Sequence, residues 1–231
     1  MAIQKSIRMM FLGMNTIFFL AGAASVGVGA YFYTDSSAGS ARRNAVVTAD
    51  DIMSLIAIGS IVLFTALVGY FAYLQPVTRK PLMITFCFAV IGIVVVQVIM
   101  GILVWYKTLT MYDGFGSHWR AWDEELRDNF QRLNEHAPCC GFANPTDFAA
   151  PSAVCSASTP STIPGCQATV YTYADSYLRN IYTCIFIFVF IGIFDFFTAV
   201  MVVQAASDEE RYEKISQKIM VKPGEMRMQF L

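Results

Sequence analysis

Charge is scarce in this chain. Lys, Arg, Asp and Glu make up 14% of its 231 residues and the hydrophobic share is 56%, where soluble domains carry about 25% charge. An ordinary water-soluble fold is excluded. The net charge of -1 offers no basic field for nucleic acid, and no polybasic cluster is large enough to act alone as a lipid anchor. Histidine is rarer still: His118 and His136 are the only two, with no paired nucleophile, no metal-ligand spacing and no glycine-rich phosphate loop beside them. Those absences remove the usual catalytic constellations, so no enzymatic activity is expected. N-glycosylation acceptors are missing too, because the one approximation, Asn144-Pro145-Thr146, has proline in the middle.

Long apolar runs take the place of charge. Four of them, at 10–33, 52–74, 82–106 and 181–205, reach the roughly 20 helical residues that a bilayer core requires. The expected fold class is therefore an all-α membrane protein with four transmembrane helices. The first run resembles a signal peptide, with Lys5 and Arg8 before it and small residues near 21–25. Its apolar length of roughly 24 residues exceeds the 7 to 15 or so of a signal core, which favours a retained span. The remainder divides into an N-terminal tail 1–9, a small loop 34–51, a turn 75–81, a large loop 107–180 and a C-terminal tail 206–231.

Orientation follows from basic residues. With both termini in the cytosol, the cytosolic segments hold Lys5, Arg8, Arg79, Lys80, Arg211, Lys214, Lys218, Lys222 and Arg227, against Arg42 and Arg43 in the small loop. Independently, Cys139, Cys140, Cys155 and Cys166 all fall in the large loop, as expected of a segment facing an oxidising compartment. The plasma membrane is the expected location.

Within the large loop, Trp119, Trp122, Leu126, Phe130 and Leu133 recur at steps of three and four, which predicts an amphipathic helix with Ser117 as its N-cap. A second helix over 167–180 is expected to run into the fourth span. Between them, 137–166 forms a cap too small to offset its chain entropy by burial, so it needs covalent staples. Bonding Cys139 to Cys140 would close a strained ring between neighbours, and two pairings remain. If the neighbours project from the end of the first helix, one reaches Cys166 and the other Cys155, favouring Cys139 with Cys166 and Cys140 with Cys155. A zinc site competes poorly, since zinc spacing begins C-x₂₋₄-C. Cys87 and Cys184 lie within spans and read as packing residues, with Cys87 near enough to a membrane face to be a palmitoylation candidate.

The first span from Leu12 to Tyr33, the Cys139-Cys140-Gly141 motif, Cys155, Gly165-Cys166 and the glutamine of span three together resemble a tetraspanin. That resemblance covers almost the whole chain and implies the same nested two-bridge disulfide pattern. It also implies a non-enzymatic scaffold that gathers partner membrane proteins and other tetraspanins, with the variable part of the large loop as the lateral recognition surface. Span two lacks the cysteine-rich cytosolic end common in the family. Few cysteines and no glycosylation acceptor resemble fungal members, whose likeness would imply a role in polarised growth or host penetration.

Asn15, Gln97 and Asp195 stand inside spans one, three and four. An ionisable group at mid-membrane costs a few kcal/mol on insertion scales, so Asp195 should face the bundle. All three serve as interhelical glue, or they line the lipid cavity that the resemblance implies and meet a sterol hydroxyl, a sterol being the sole cofactor-like ligand expected. Ala23 with Gly27, and Ser25 with Gly29, are small-xxx-small pairs suited to packing span one on span two, where Gly59 and Gly69 lie. In the cap, Phe142, Phe148, Val154 and Ile163 are candidates for partner contact. In the tail, Tyr212 and Ile215 have the spacing of a tyrosine-based sorting signal. Two readings compete: a small transporter or channel using Asp195, and a claudin-like junction protein, whose large loop and paired cysteines would sit between spans one and two, where this chain has none.

Overall fold

The computed structural model describes residues 2–35, 37–74, 79–134, 138–153, 155 and 163–225. Among the described residues the regular elements are all helical: α1 Ala2–Thr34, α2 Ala38–Asn44, α3 Ala49–Leu74, α4 Lys80–Ala121, α5 Glu124–Gln131 and α6 Gln167–Glu225. Stretches of α1, α3, α4 and α6 are long and apolar enough to cross a membrane, namely Ser6–Thr34, Ala49–Leu74, Lys80–Thr110 and Gln167–Ser216.

Two of these helices far outrun their apolar spans. α4 has 42 residues and α6 has 59, so the helical residues of each continue from an apolar span into the large loop. The sequence places a helix start at Ser117, and the structure corrects this. Ser117 lies inside α4, its hydroxyl donating to the Gly114 carbonyl at 2.7 Å. The break comes later, at Trp122, and Asp123 is the extended N-cap residue of α5. Gly114 and Gly116 do not interrupt α4. A Cβ on Gly116 would lie 3.4 Å from the Phe142 ring, so this glycine admits a close neighbour without breaking the helix.

The chain packs as two units. The terminal unit comprises 1–26, 57–96 and 188–231, and the loop unit 27–56 and 97–187. In the terminal unit Phe11, Phe18, Phe86 and Val90 are buried with Ala66 and Ala199, while Phe64, Phe88 and Phe190 are exposed. Exposed phenylalanines are ordinary where lipid is the solvent.

Lipid supplies no hydrophobic force between helices, so α1 and α3 must gain attraction from close backbone approach. Gly22 and Gly59 provide it. A Cβ at Gly59 would stand 2.9 Å from Ser25 Cβ, and one at Gly22 would stand 2.9 Å from Val62 Cγ1. The Ser25 and Gly29 pair does face α3, Gly29 lying against Ile56. The Ala23 and Gly27 pair does not: both residues are exposed, and a Cβ on Gly27 would meet nothing within 4 Å. Spacing alone identifies a small face without its direction, and Gly22, one residue before Ala23, is the one turned toward the neighbour.

Helix ends in this unit are closed by cations. Arg8 Nη2 donates to the Tyr73 carbonyl at 3.4 Å and Arg79 Nη1 to that of Phe71 at 3.3 Å, meeting the orphan carbonyls and the negative end of α3. Lys80 at the start of α4 pairs with Glu210 of α6 at 3.1 Å.

Replacing Gly59 with valine is expected to lower thermal stability in detergent by the equivalent of about 1 to 3 kcal/mol, the ordinary cost of overpacking. Gly27→Val should leave it unchanged. Equal melting temperatures for the two variants would contradict the assignment of the α1–α3 contact.

Candidate functional site

The cap grows from the loop unit's aromatic core. Trp119 on α4 is fully buried, with Phe130 of α5 and Val170 and Ala174 of α6 around it. Trp122 stacks on Phe130 with ring centroids 5.1 Å apart and 11° between planes. This core fixes the ends of α4, α5 and α6, and the cap chain is strung between them.

Two disulfides hold that chain. Cys139 is bonded to Cys166 and Cys140 to Cys155, with Cα separations of 4.9 and 5.7 Å. Around them the backbone of 140–142 pairs with that of 164–167. The Cys140 N–H donates to the Pro164 carbonyl at 3.0 Å, and the N–H groups of Cys166 and Gln167 donate to Gly141 and Phe142 at 2.9 and 3.0 Å. The last two are donors that the first turn of α6 would otherwise leave orphaned.

Both glycines of the motif are required by this geometry. Gly141 has φ +67°, and a Cβ there would fall on the Asn144 carbonyl oxygen. A Cβ on Gly165 would fall on the Phe142 carbonyl oxygen. At the Cys140–Cys155 bridge, the wholly buried Gln131 directs Nε2 at Cys155 Sγ, 2.7 Å away. Sequence reasoning misses this residue, because in the amphipathic pattern it reads as one more solvated helix position.

The family model described as the Tetraspanin family matches residues 7–205. The chain belongs to the tetraspanin family. It is accordingly an integral multi-pass membrane protein of a family whose members act generally as non-enzymatic scaffolds and associate laterally with other membrane proteins. No curated protein matches this sequence.

The four cap candidates of this tetraspanin separate. Phe142 is buried against Trp119 and Tyr171, which removes it from the partner-contact set: it fills the small core. Phe148 is the reverse, 52% exposed and at φ +49°. A bulky side chain in the left-handed region costs roughly 1 to 3 kcal/mol and persists only where its surroundings insist. Here they do. Its carbonyl accepts from Trp119 Nε1 at 3.2 Å and from Arg127 Nη1 at 3.1 Å, and the Arg120 guanidinium lies 5.5 Å from its ring centroid. Ile163 is half-buried. Val154 and His136 lie outside the described residues, and His118 is exposed on α4.

The two arginines of the small loop are structural. Arg43 is buried, paired with Asp35 at 3.1 Å, donating to the Phe32 carbonyl at 2.8 Å and lying 4.4 Å from the Phe32 ring centroid. It closes the C-terminal end of α1. Arg42 reaches from α2 to the Asn129 carbonyl of α5 at 3.3 Å.

Of the intramembrane polar residues, Asn15 and Asp195 are fully buried in the terminal unit. Asn15 Nδ2 donates to the Ala66 carbonyl at 3.0 Å, and Gly69 leaves the space its amide occupies, a Cβ there being 2.9 Å from Oδ1. Neither carboxylate oxygen of Asp195, nor Asn15 Oδ1, has a hydrogen-bond partner among the described residues. Gln97 belongs to the loop unit, buried, with Oε1 likewise unpartnered among the described residues. Cys87 is buried in the helix core, so its thiol does not face an acylating enzyme and the palmitoylation reading is corrected. Its depth along α4 suits that reading, and its direction does not. Tyr212 and Ile215 are exposed on α6, three residues apart on a continuous helix.

The Ser37 backbone N–H, the Ser37 hydroxyl and Arg43 hold the Asp35 carboxyl below the ordinary carboxylate range. A depressed folded-state value contributes stability above the unfolded value of about 3.9 and loses it as pH falls through and below that point. Hydrogen-exchange protection of α2, corrected for intrinsic rate, should therefore fall below about pH 4, and in Asp35→Asn should be low already and flat with pH. Parallel profiles for the two proteins would dissociate this pair from the corner between α1 and α2.

Proposed function

We propose that this tetraspanin is a plasma-membrane scaffold, with its termini in the cytosol and its cap outside, that selects partner membrane proteins through the cap and gathers them into domains. One observation carries the reading. A segment stapled at Cys139–Cys166 and Cys140–Cys155 spends its covalent and backbone bonds on holding an exposed aromatic residue, Phe148, away from the core. Exposed aromatics on rigid supports are the usual anchors of protein recognition. The likeness to fungal tetraspanins extends the proposal to polarised growth or host penetration, by analogy of family.

The test is proximity labelling from the large loop in the native cell, comparing the intact chain with one whose segment 142–165 is replaced by a flexible linker. Loss of a defined set of membrane proteins is the expected result. An unchanged set would move selection from the cap to the spans.

The unpartnered oxygens of Asn15 and Asp195 support a second element of the proposal, a bound sterol whose hydroxyl supplies the missing donor. They equally suit a transporter using Asp195, and one pair of measurements separates the two. A photoreactive sterol is expected to label the wild type and to label an Asn15→Leu, Asp195→Leu variant several-fold less, while proton and cation flux in reconstituted vesicles stays at background. Flux that Asp195→Asn abolishes would establish the transporter reading.

A further inference from the structure

Phe148 is held in place at three points, none of which its ring requires. The carbonyl of residue 148 takes two hydrogen bonds, from Trp119 on α4 and Arg127 on α5. The loop before it is closed on itself, the Asp147 N–H donating to the Asn144 carbonyl at 2.9 Å and the Phe142 N–H to that of Asp147 at 3.0 Å. Together these bonds force the backbone of 148 into the left-handed region, where glycine or asparagine would sit without strain. Core filling does not explain a phenylalanine there, because Phe142 does that work and the Phe148 ring is 52% exposed.

A weakly paired cation lies beside the ring. Arg120, 62% exposed, lies over the ring and reaches Asp147 only at 3.8 Å. Arg127 adds a second guanidinium at the Phe148 carbonyl. The Arg120–Asp147 pair, long and exposed, is of the kind worth little in water. Arg120 is free to exchange Asp147 for a carboxylate brought from elsewhere. An aromatic ring beside a poorly paired guanidinium is complementary to an apolar pocket with an acidic rim.

We propose that Phe148 and Arg120 form one anchor by which the cap docks into an apolar pocket rimmed by a carboxylate on the outer domain of a partner membrane protein, with Trp119 and Arg127 as positioning residues that hold the ring out. This rests on the cap being the recognition element. It goes further in naming the anchor and the chemistry of the surface that receives it.

The decisive variant is Phe148→Gly in the full-length chain. Glycine accepts the left-handed backbone freely, and Trp119 and Arg127 still have the carbonyl to bind, so the melting temperature should be no lower than wild type. Labelling of the partners that depend on segment 142–165 should nonetheless fall at least about ten-fold, the size of an ordinary hot-spot truncation. Arg120→Glu should reduce labelling of the same partners, and Arg120→Lys should largely restore it. Full labelling by a well-folded Phe148→Gly protein, while replacement of 142–165 still abolishes it, would overturn the anchor and leave cap-based selection standing. Loss in Phe148→Gly with none in Arg120→Glu would overturn the acidic rim. If replacing 142–165 changes nothing, the recognition role of the cap fails, and the anchor with it.

Discussion

Residues 139–142 and 164–167 are joined by one disulfide between Cys139 and Cys166 and by three backbone hydrogen bonds, and the rest of the outer structure depends on that junction. α4 ends and α6 begins in the loop unit, and the chain between them must end the one and start the other. The start of α6 presents N–H groups that need acceptors, and the Gly141 and Phe142 carbonyls supply them. Those carbonyls can be aimed that way only because Gly141 takes a positive φ. The adjacent Cys140 is bonded instead to Cys155, 15 residues on. Two neighbouring cysteines therefore serve two different layers of the cap: one closes the helix junction, the other tethers the loop beyond it.

Cations play a comparable part at the ends of the transmembrane helices. Arg43 on Phe32, Arg8 on Tyr73 and Arg79 on Phe71 each donate to a carbonyl near a helix C-terminus. The basic pair in the small loop opposes a simple count of positive charges by topology. Both arginines have structural uses: Arg43 is buried against Asp35 and the end of α1, while Arg42 ties α2 to α5. A buried, paired arginine is part of the fold as well as a charge, on either side of the bilayer.

What the sequence makes legible follows the strength of each physical constraint. A bilayer demands about 20 apolar residues per helix, so four spans and the all-α class stand out, and the Cys-Cys-Gly motif in its loop points to the family. Direction is another matter. Ala23 and Gly27 have the right spacing for helix packing, yet Gly22 and Gly59 make the contact, because helical phase is set by the neighbour and a single chain segment does not encode it. Cys87 sits at a depth that suits acylation and points inward. Phe142 and Phe148 look alike as letters in a polar stretch. Their difference, one buried and one held out at positive φ, arises from a Trp119 indole N–H and an Arg127 guanidinium that come from elsewhere in the chain. Gln131 is similar: periodicity predicts its helix, and only tertiary packing puts it at a disulfide.

The terminal unit raises a matching question about donors and acceptors. Asn15 gives its amide N–H to the Ala66 carbonyl, and its own oxygen and both oxygens of Asp195 receive nothing among the described residues. Helix packing in lipid usually satisfies every such group, because the alternative is an unpaired polar atom in hydrocarbon. The sterol proposed above would bring a hydroxyl donor to such oxygens. Phe18 and Phe86 are buried in the same unit with apolar residues of α3 and α4, surroundings that suit the apolar body of the sterol proposed above.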